Sequence, residues 1–134
     1  MKLLEIQATA GFYFMVALSV LMLPWNVLLS FAAAASFHEL CHVIALYLCG
    51  NRVKEVRFRT LGVQIVTGQL SPGQELICAA AGPTGSLLLT LFSQQMPIVA
   101  LFGLCQGIFN LLPIYPMDGG RMVRSIFLLA KMRR

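Results

Sequence analysis

The chain has 134 residues and a formal net charge of +5, yet only 11% of its residues are charged and 58% are hydrophobic. A soluble domain usually carries about 25% charged residues, so this composition disfavours a water-soluble globular protein. Residues 6–37 and 76–117 contain no Asp, Glu, Lys or Arg. Apolar stretches of about 20 residues are what a bilayer core requires, and we expect a polytopic membrane protein. The basic residues flank these stretches without interleaved aromatic residues, which does not favour nucleic-acid binding.

The first two apolar segments predict two membrane helices. The first covers about Thr9–Ser30, with a kink at Pro24, which membrane helices tolerate. The second covers about Ala32–Cys49, and the following glycine and asparagine favour its end. The polar stretch Arg52–Gly73 is rich in strand-forming residues and predicts a short β-hairpin.

The second half of the chain predicts two further membrane segments. Ser71 and Gln74 predict a capping box at a helix start, and the third helix covers about Gln74–Gln94. The fourth apolar segment covers about Pro97–Leu112, and the prolines and glycines of 113–120 interrupt it before a last helical piece. The predicted fold is an all-α polytopic membrane protein with about four transmembrane segments, the last interrupted, and a small β-hairpin after the second. We expect a single domain, 1–134.

The basic residues predict the orientation of these segments in the membrane. Lys and Arg accumulate in cytoplasmic loops, and the hairpin is the most basic loop. We therefore expect the hairpin and both chain termini to be cytoplasmic, in a multi-pass protein of the cell inner or plasma membrane.

An H-E-x-x-H motif lies inside the second predicted helix, at His38-Glu39-Leu40-Cys41-His42. Residues four apart share a helix face, so His38 and His42 can bind one Zn²⁺. Glu39 is offset and is expected to accept the proton of an attacking water. A lone histidine would favour a structural role. A carboxylate at the centre of a membrane helix, however, costs about 2.5–3.5 kcal/mol on insertion scales, so it requires a partner or a function. The two histidines together with Glu39 therefore favour a metal site.

Asp118 is the predicted third metal ligand. A catalytic zinc typically has three protein ligands and leaves one position for water. The chain has no third histidine, and Glu5, Glu55 and Glu75 lie outside the apolar segments. Asp118 lies in the interruption of the fourth segment, where irregular backbone at membrane depth is expected to line a cavity. The alternative is that Asp118 only caps the following helix.

Three segments occur in an order typical of one protein family. They are 37–42 with the H-E-x-x-H motif, the Ala-Ala-Gly-Pro run at 80–83, and 110–121, which is close to an N-x-x-P-x-x-P-x-D-G-G element. With these segments the chain resembles the site-2 proteases, which are intramembrane metalloproteases, and it is similar in compactness to the branch that processes sporulation factors. The resemblance implies a minimal core with one Zn²⁺ per chain.

The resemblance also implies roles for individual residues. His38, His42 and Asp118 correspond to the zinc ligands, Glu39 to the catalytic acid and base, and Asn110 to an asparagine implicated in activity or substrate binding. Two positions depart from the family pattern.

The first departure is Cys41, which stands where the family usually has glycine. Its thiol could bind metal or be oxidised, although a tolerated small residue is the simpler interpretation. The second is Ser86, which lies where the family often has asparagine.

We therefore predict an intramembrane zinc metalloprotease that hydrolyses a peptide bond within or beside a transmembrane segment of a membrane protein or membrane-associated proprotein. The substrate must be extended, because a helix keeps its carbonyls in hydrogen bonds. An edge strand containing Val63, Ile65 and Val66 can pair with it. The alternative is a non-proteolytic membrane protein that binds metal or helices, and Glu39 distinguishes the two. The sequence does not indicate the oligomeric state.

Overall fold

The computed structural model of the chain describes residues 5–59 and 62–133. Within these ranges it contains five α-helices, a short 3₁₀ segment at Leu89–Phe92 and three β-strands. The helices are α1 (Ala10–Met22), α2 (Trp25–Leu48), α3 (Pro72–Leu88), α4 (Pro97–Asn110) and α5 (Asp118–Met132). The strands are β1 (Glu5–Ala8), β2 (Val53–Arg59) and β3 (Gly62–Thr67).

The chain turns between α1 and α2 at Pro24, and the predicted boundary near Phe31 was wrong. Leu23 adopts an extended conformation, with φ −109° and ψ 142°. A residue before proline is pushed out of the helical region, so Pro24 ends α1 rather than kinking it. The alanine-rich run after Ser30 has a high helix propensity and continues α2 through the predicted junction.

Within residues 5–59 and 62–133, two helices are long and apolar enough to cross a membrane. One is α2, whose 24 residues span about 36 Å, and the other is the 21-residue stretch formed by α3 and the 3₁₀ segment. The apolar helices α1 and α4 are shorter. Large side chains on α1 and α2 are widely exposed, including Phe14 at 67% and Leu48 at 84%. An apolar surface of this extent is typical of helices that contact lipid.

The β-structure is a three-stranded sheet rather than the predicted hairpin alone. β2 and β3 are antiparallel, as expected, and β1 adds to the other edge of β2 in parallel, with Glu5 opposite Glu55. A parallel pair requires a long crossover, which α1 and α2 supply. Arg57 donates two hydrogen bonds of 2.8 Å to Glu55, and its guanidinium holds the pKa of that carboxyl below its usual range.

Helix α3 is the centre of the helical layer and contacts α2, α4 and α5. Its start is the predicted capping box, in which Ser71 and Gln74 bond each other's backbone N–H groups. Small residues are fully buried on both α2 and α3, including Ala34 and Ala79. Small side chains let helix backbones approach closely, so the faces of α2 and α3 lie against each other.

The interruption between α4 and α5 lies at 111–117 rather than at the predicted 113–120, because α4 ends at Asn110 and α5 already begins at Asp118. The intervening loop contains a cis peptide bond between Tyr115 and Pro116. Gly119 and Gly120 lie directly against the backbone of residues 111–115, where a Cβ on either would collide. This contact fixes the start of α5 beneath the loop, with Asp118 facing α2.

Candidate metal centre

Three ligand atoms converge between α2 and α5. Nε2 of His42 lies 3.1 Å from Nε2 of His38 and 3.1 Å from Oδ2 of Asp118, and Nε2 of His38 lies 3.2 Å from the same oxygen. The histidines come from successive turns of α2, and Asp118 opens α5. Tetrahedral zinc with bonds of about 2.0–2.1 Å places its ligands about 3.3 Å apart, so this nearly equilateral triangle fits such an ion.

The hydrogen bonds of the two imidazoles also favour a cation. Nδ1 of His42 donates to the carbonyl of Cys78 at 2.7 Å, which leaves a lone pair on its Nε2. Nδ1 of His38 lies 2.7 Å from the hydroxyl of Ser86, and donation to that oxygen directs a second lone pair inward. With the carboxylate of Asp118, three acceptors then face one another without a proton between them. A divalent cation neutralises that arrangement.

The outer partners of both histidines lie on one face of α3. Cys78, Gly82 and Ser86 are spaced four residues apart, which places them in one row along the helix. Ser86 is opposite His38 and Cys78 is opposite His42. Such outer partners orient metal-binding histidines and set which nitrogen is protonated. The sequence prediction treated Ser86 only as a departure from the family pattern, and it did not anticipate the Cys78 carbonyl.

Gly82, between those two partners, allows α3 to approach the imidazoles. A Cβ at this position would lie 2.8 Å from Nε2 of His38 and would overlap the ring of His42. Real Cβ atoms essentially never come within 3.0 Å of such atoms. The glycine of the Ala-Ala-Gly-Pro run therefore packs directly against the ligand cluster, and no larger residue fits there.

Asp118 uses its two carboxylate oxygens differently. Oδ2 faces the histidines, whereas Oδ1 accepts a hydrogen bond of 3.2 Å from Arg121. Arg121 also donates from Nε to Glu75 on α3, at 2.8 Å. Sequence reasoning set Glu75 aside as lying outside the apolar segments. Its place one turn into α3 brings it to the mouth of the site.

A cavity of about 900 Å³ opens in front of the three ligand atoms. Its lining includes Glu39, Asn110, Val63 and Ile65, together with the ligand residues. Val66, which was also predicted to contact substrate, is not among the lining residues. Successive side chains of a strand point to opposite faces, so Val63 and Ile65 share the cavity side of β3 and Val66 faces away.

Cys41 contacts α3 rather than the ligand cluster. A Cβ at Gly85 would collide with its sulfur, so the thiol occupies the space that this glycine leaves. Among the described residues, the donor cluster consists of His38, His42 and Asp118 and does not include the thiol. The structure thus supports packing as the role of Cys41.

Sequence comparison identifies related proteins. The model of the family described as Peptidase M50B-like matches residues 8–113. A protein of Synechocystis sp. named "Putative zinc metalloprotease" is 32% identical over 124 residues, which cover 77% of this chain and 32% of that protein. The zinc metalloprotease of Methanocaldococcus jannaschii is 30% identical over 103 residues, covering 66% of this chain and 30% of that protein. The chain thus spans about a third of the length of these curated relatives.

The fold is also similar to a solved structure. The Site-2 Protease from Methanocaldococcus jannaschii superposes with a TM-score of 0.73 and 25% sequence identity. The match covers 95% of this chain and 69% of that chain. The similarity therefore includes the helices and the sheet that surround the three ligand atoms.

Proposed function

We propose that this chain, which belongs to the peptidase M50B-like family, is a zinc metalloprotease that cuts membrane proteins within or beside the bilayer. The observation that carries the proposal is the triangle of ligand atoms from His38, His42 and Asp118, with Glu39 lining the same cavity. The relatives named as zinc metalloproteases support zinc as the metal, one ion per chain.

The chemistry assigns one task to each residue. When bound, zinc lowers the pKa of water towards about 7 and polarises the scissile carbonyl. Glu39 follows His38 on α2 by one residue, or about 100° of helix rotation, so it flanks the ligand atoms without joining them. It accepts a proton from the attacking water and returns it to the leaving amine. Asn110 lines the cavity and can donate its amide to the substrate backbone.

The substrate is proposed to bind as an extended strand of a membrane protein or proprotein. β3 is the last strand of the described sheet, so one of its edges carries no partner strand there. Val63 and Ile65 of this strand line the cavity that contains the ligand cluster. A substrate strand paired with β3 would run past the metal site with its carbonyls free of helical hydrogen bonds.

We further propose that the chain crosses the membrane about four times, with α4 and α5 forming one interrupted span. The sheet and both termini then face the cytoplasm. The basic residues of β2 and of the chain end support this orientation. The wide exposure of apolar side chains on α1 supports a lipid environment for this shorter helix too.

The Glu39→Gln variant tests the proposal. The amide keeps the size and hydrogen-bonding capacity of the side chain but cannot accept and return a proton. We expect normal zinc content and a loss of cleavage of about 10²- to 10⁴-fold. The measurement is the accumulation of uncut membrane-protein substrate in cells. His38→Ala and Asp118→Asn should lose zinc as well as activity. Parental levels of cleavage in cells that carry Glu39→Gln would mean that this chain is not the protease responsible, and would favour a metal carrier instead.

A further inference from the structure

Arg121 is the one basic side chain that directly contacts the proposed ligands in the described part of the chain. It lies one turn after Asp118 on α5 and reaches that carboxylate's outer oxygen at 3.2 Å. Its Nε binds Glu75 at 2.8 Å, so a single guanidinium joins the start of α3 to the start of α5. The planar fork of arginine suits two carboxylates at once, which the point charge of lysine does not.

The backbone alone does not determine how Asp118 meets a metal. Gly119 and Gly120 hold the start of α5 against the preceding loop, which fixes the Cα position of Asp118. The carboxylate can still rotate about its side-chain bonds and present one oxygen or both. In the structure only Oδ2 faces the histidines, because Oδ1 is bonded to Arg121.

Glu75 in turn determines where the guanidinium lies. It belongs to the first turn of α3, and its neighbour Gln74 donates a 3.0 Å hydrogen bond to the carbonyl of Cys49 at the end of α2. The first turn of α3 is thereby tied to both elements that carry the ligands. The side chains of Arg121 and Glu75 are 32% and 30% exposed, so their ion pair is only partly shielded from solvent.

We propose that Arg121 is a positioning residue that holds Asp118 as a single-oxygen metal ligand, and that Glu75 holds Arg121 in place for this purpose. The inference rests on the proposed metal site. It gives the segment 118–121 a second role, which is to orient the ligand Asp118 that it supplies. Each ligand then has an outer partner: Ser86 for His38, the Cys78 carbonyl for His42 and Arg121 for Asp118. Removing such a partner typically lowers metal affinity by about 10- to 100-fold.

The test measures metal binding rather than cleavage. Arg121→Met retains a long side chain but loses the charge and the fork. We expect zinc affinity, measured by chelator competition on the purified full chain, to fall about 10- to 100-fold. With Co²⁺ as a probe, the visible spectrum should change from the intense bands of a four-coordinate site towards the weaker bands of a five-coordinate one, since both oxygens can now bind.

Two further variants separate positioning from folding. Arg121→Lys keeps the positive charge but replaces the guanidinium with a single ammonium nitrogen. Its zinc affinity should lie between those of the parental chain and Arg121→Met. Glu75→Ala should weaken zinc binding in the parental background but have little further effect in Arg121→Met, because both act through the same contact. Arg124→Met removes the same charge from the same cavity one turn later and serves as the matched control, with unchanged zinc affinity.

The outcomes distinguish this inference from the proposed function. If Asp118→Asn loses metal while Arg121→Met and Arg121→Lys keep the parental affinity and cobalt spectrum, the positioning role is refuted and the metal site stands. If His38→Ala and Asp118→Asn both retain zinc, the metal site itself is wrong. If Arg124→Met lowers affinity as much as Arg121→Met, the effect is a general one of charge and the specific contact is rejected.

Discussion

Gly82 on α3 lies directly against the imidazole of His42 on α2, so closely that no side chain fits between them. A Cβ at Gly82 would also come within 2.8 Å of Nε2 of His38. The helix separation that brings Ser86 and the Cys78 carbonyl to the histidines therefore requires glycine at this position.

Gly82→Ala should disrupt the metal centre through a single methyl group. The methyl must displace the ligand rings or move α3 away from α2, and overpacking of this kind costs typically 1–3 kcal/mol. We expect lost zinc and reduced cleavage. Gly73→Ala is the matched control on the same helix, because a Cβ there meets nothing within 4 Å. Parental zinc content in Gly82→Ala would contradict the close contact.

Ser86→Ala tests the outer partner of His38. The hydroxyl is fully buried and lies 2.7 Å from Nδ1, so its removal leaves that N–H without a partner. Chelator competition should show a loss of zinc affinity of about tenfold or more. Thr84→Ala is the control, because it removes an exposed hydroxyl of α3 that bonds only its own helix backbone. Equal affinities in the two variants would exclude this role for Ser86.

A pair of proline substitutions in β3 tests the edge-strand proposal. In an edge strand, consecutive N–H groups point alternately to the neighbouring strand and to the open edge. Of the two substitutions Ile65→Pro and Val66→Pro, one therefore removes an N–H group that bonds β2, and the other removes an N–H group that is available to a substrate strand. We expect one variant to slow cleavage with unchanged zinc content and thermal stability. If cleavage follows stability in both variants, strand pairing with substrate is refuted.

Membrane orientation can be measured with one cysteine probe on each side. Lys54 on β2 and Gln94 in the loop before α4 are both exposed, and they precede and follow α3 along the chain. In a chain whose four native cysteines are replaced, an impermeant thiol reagent added outside cells should label Gln94→Cys and spare Lys54→Cys. Glu55 is a poor probe, because it is buried and bound to Arg57. The reverse labelling pattern would overturn the proposed topology.

Features that depend on neighbouring residues could be predicted from the sequence alone. The two histidines and Glu39 lie within five residues on one helix, so helical geometry determines their relative placement. The capping box of Ser71 and Gln74 is equally local and was confirmed. Asp118 could be selected because it is the chain's one aspartate and lies in a break between apolar segments.

Only the tertiary structure decided which distant groups complete the site. β1 pairs with β2 across two intervening helices, and a four-residue strand carries too weak a local pattern to indicate this. Ser86 bonds His38 across 48 residues, and Glu75 bonds Arg121 across 46 residues. These contacts depend on how closely α3 packs against α2 and α5. Packing distance is a property of whole helix faces, and no local pattern of residues encodes it.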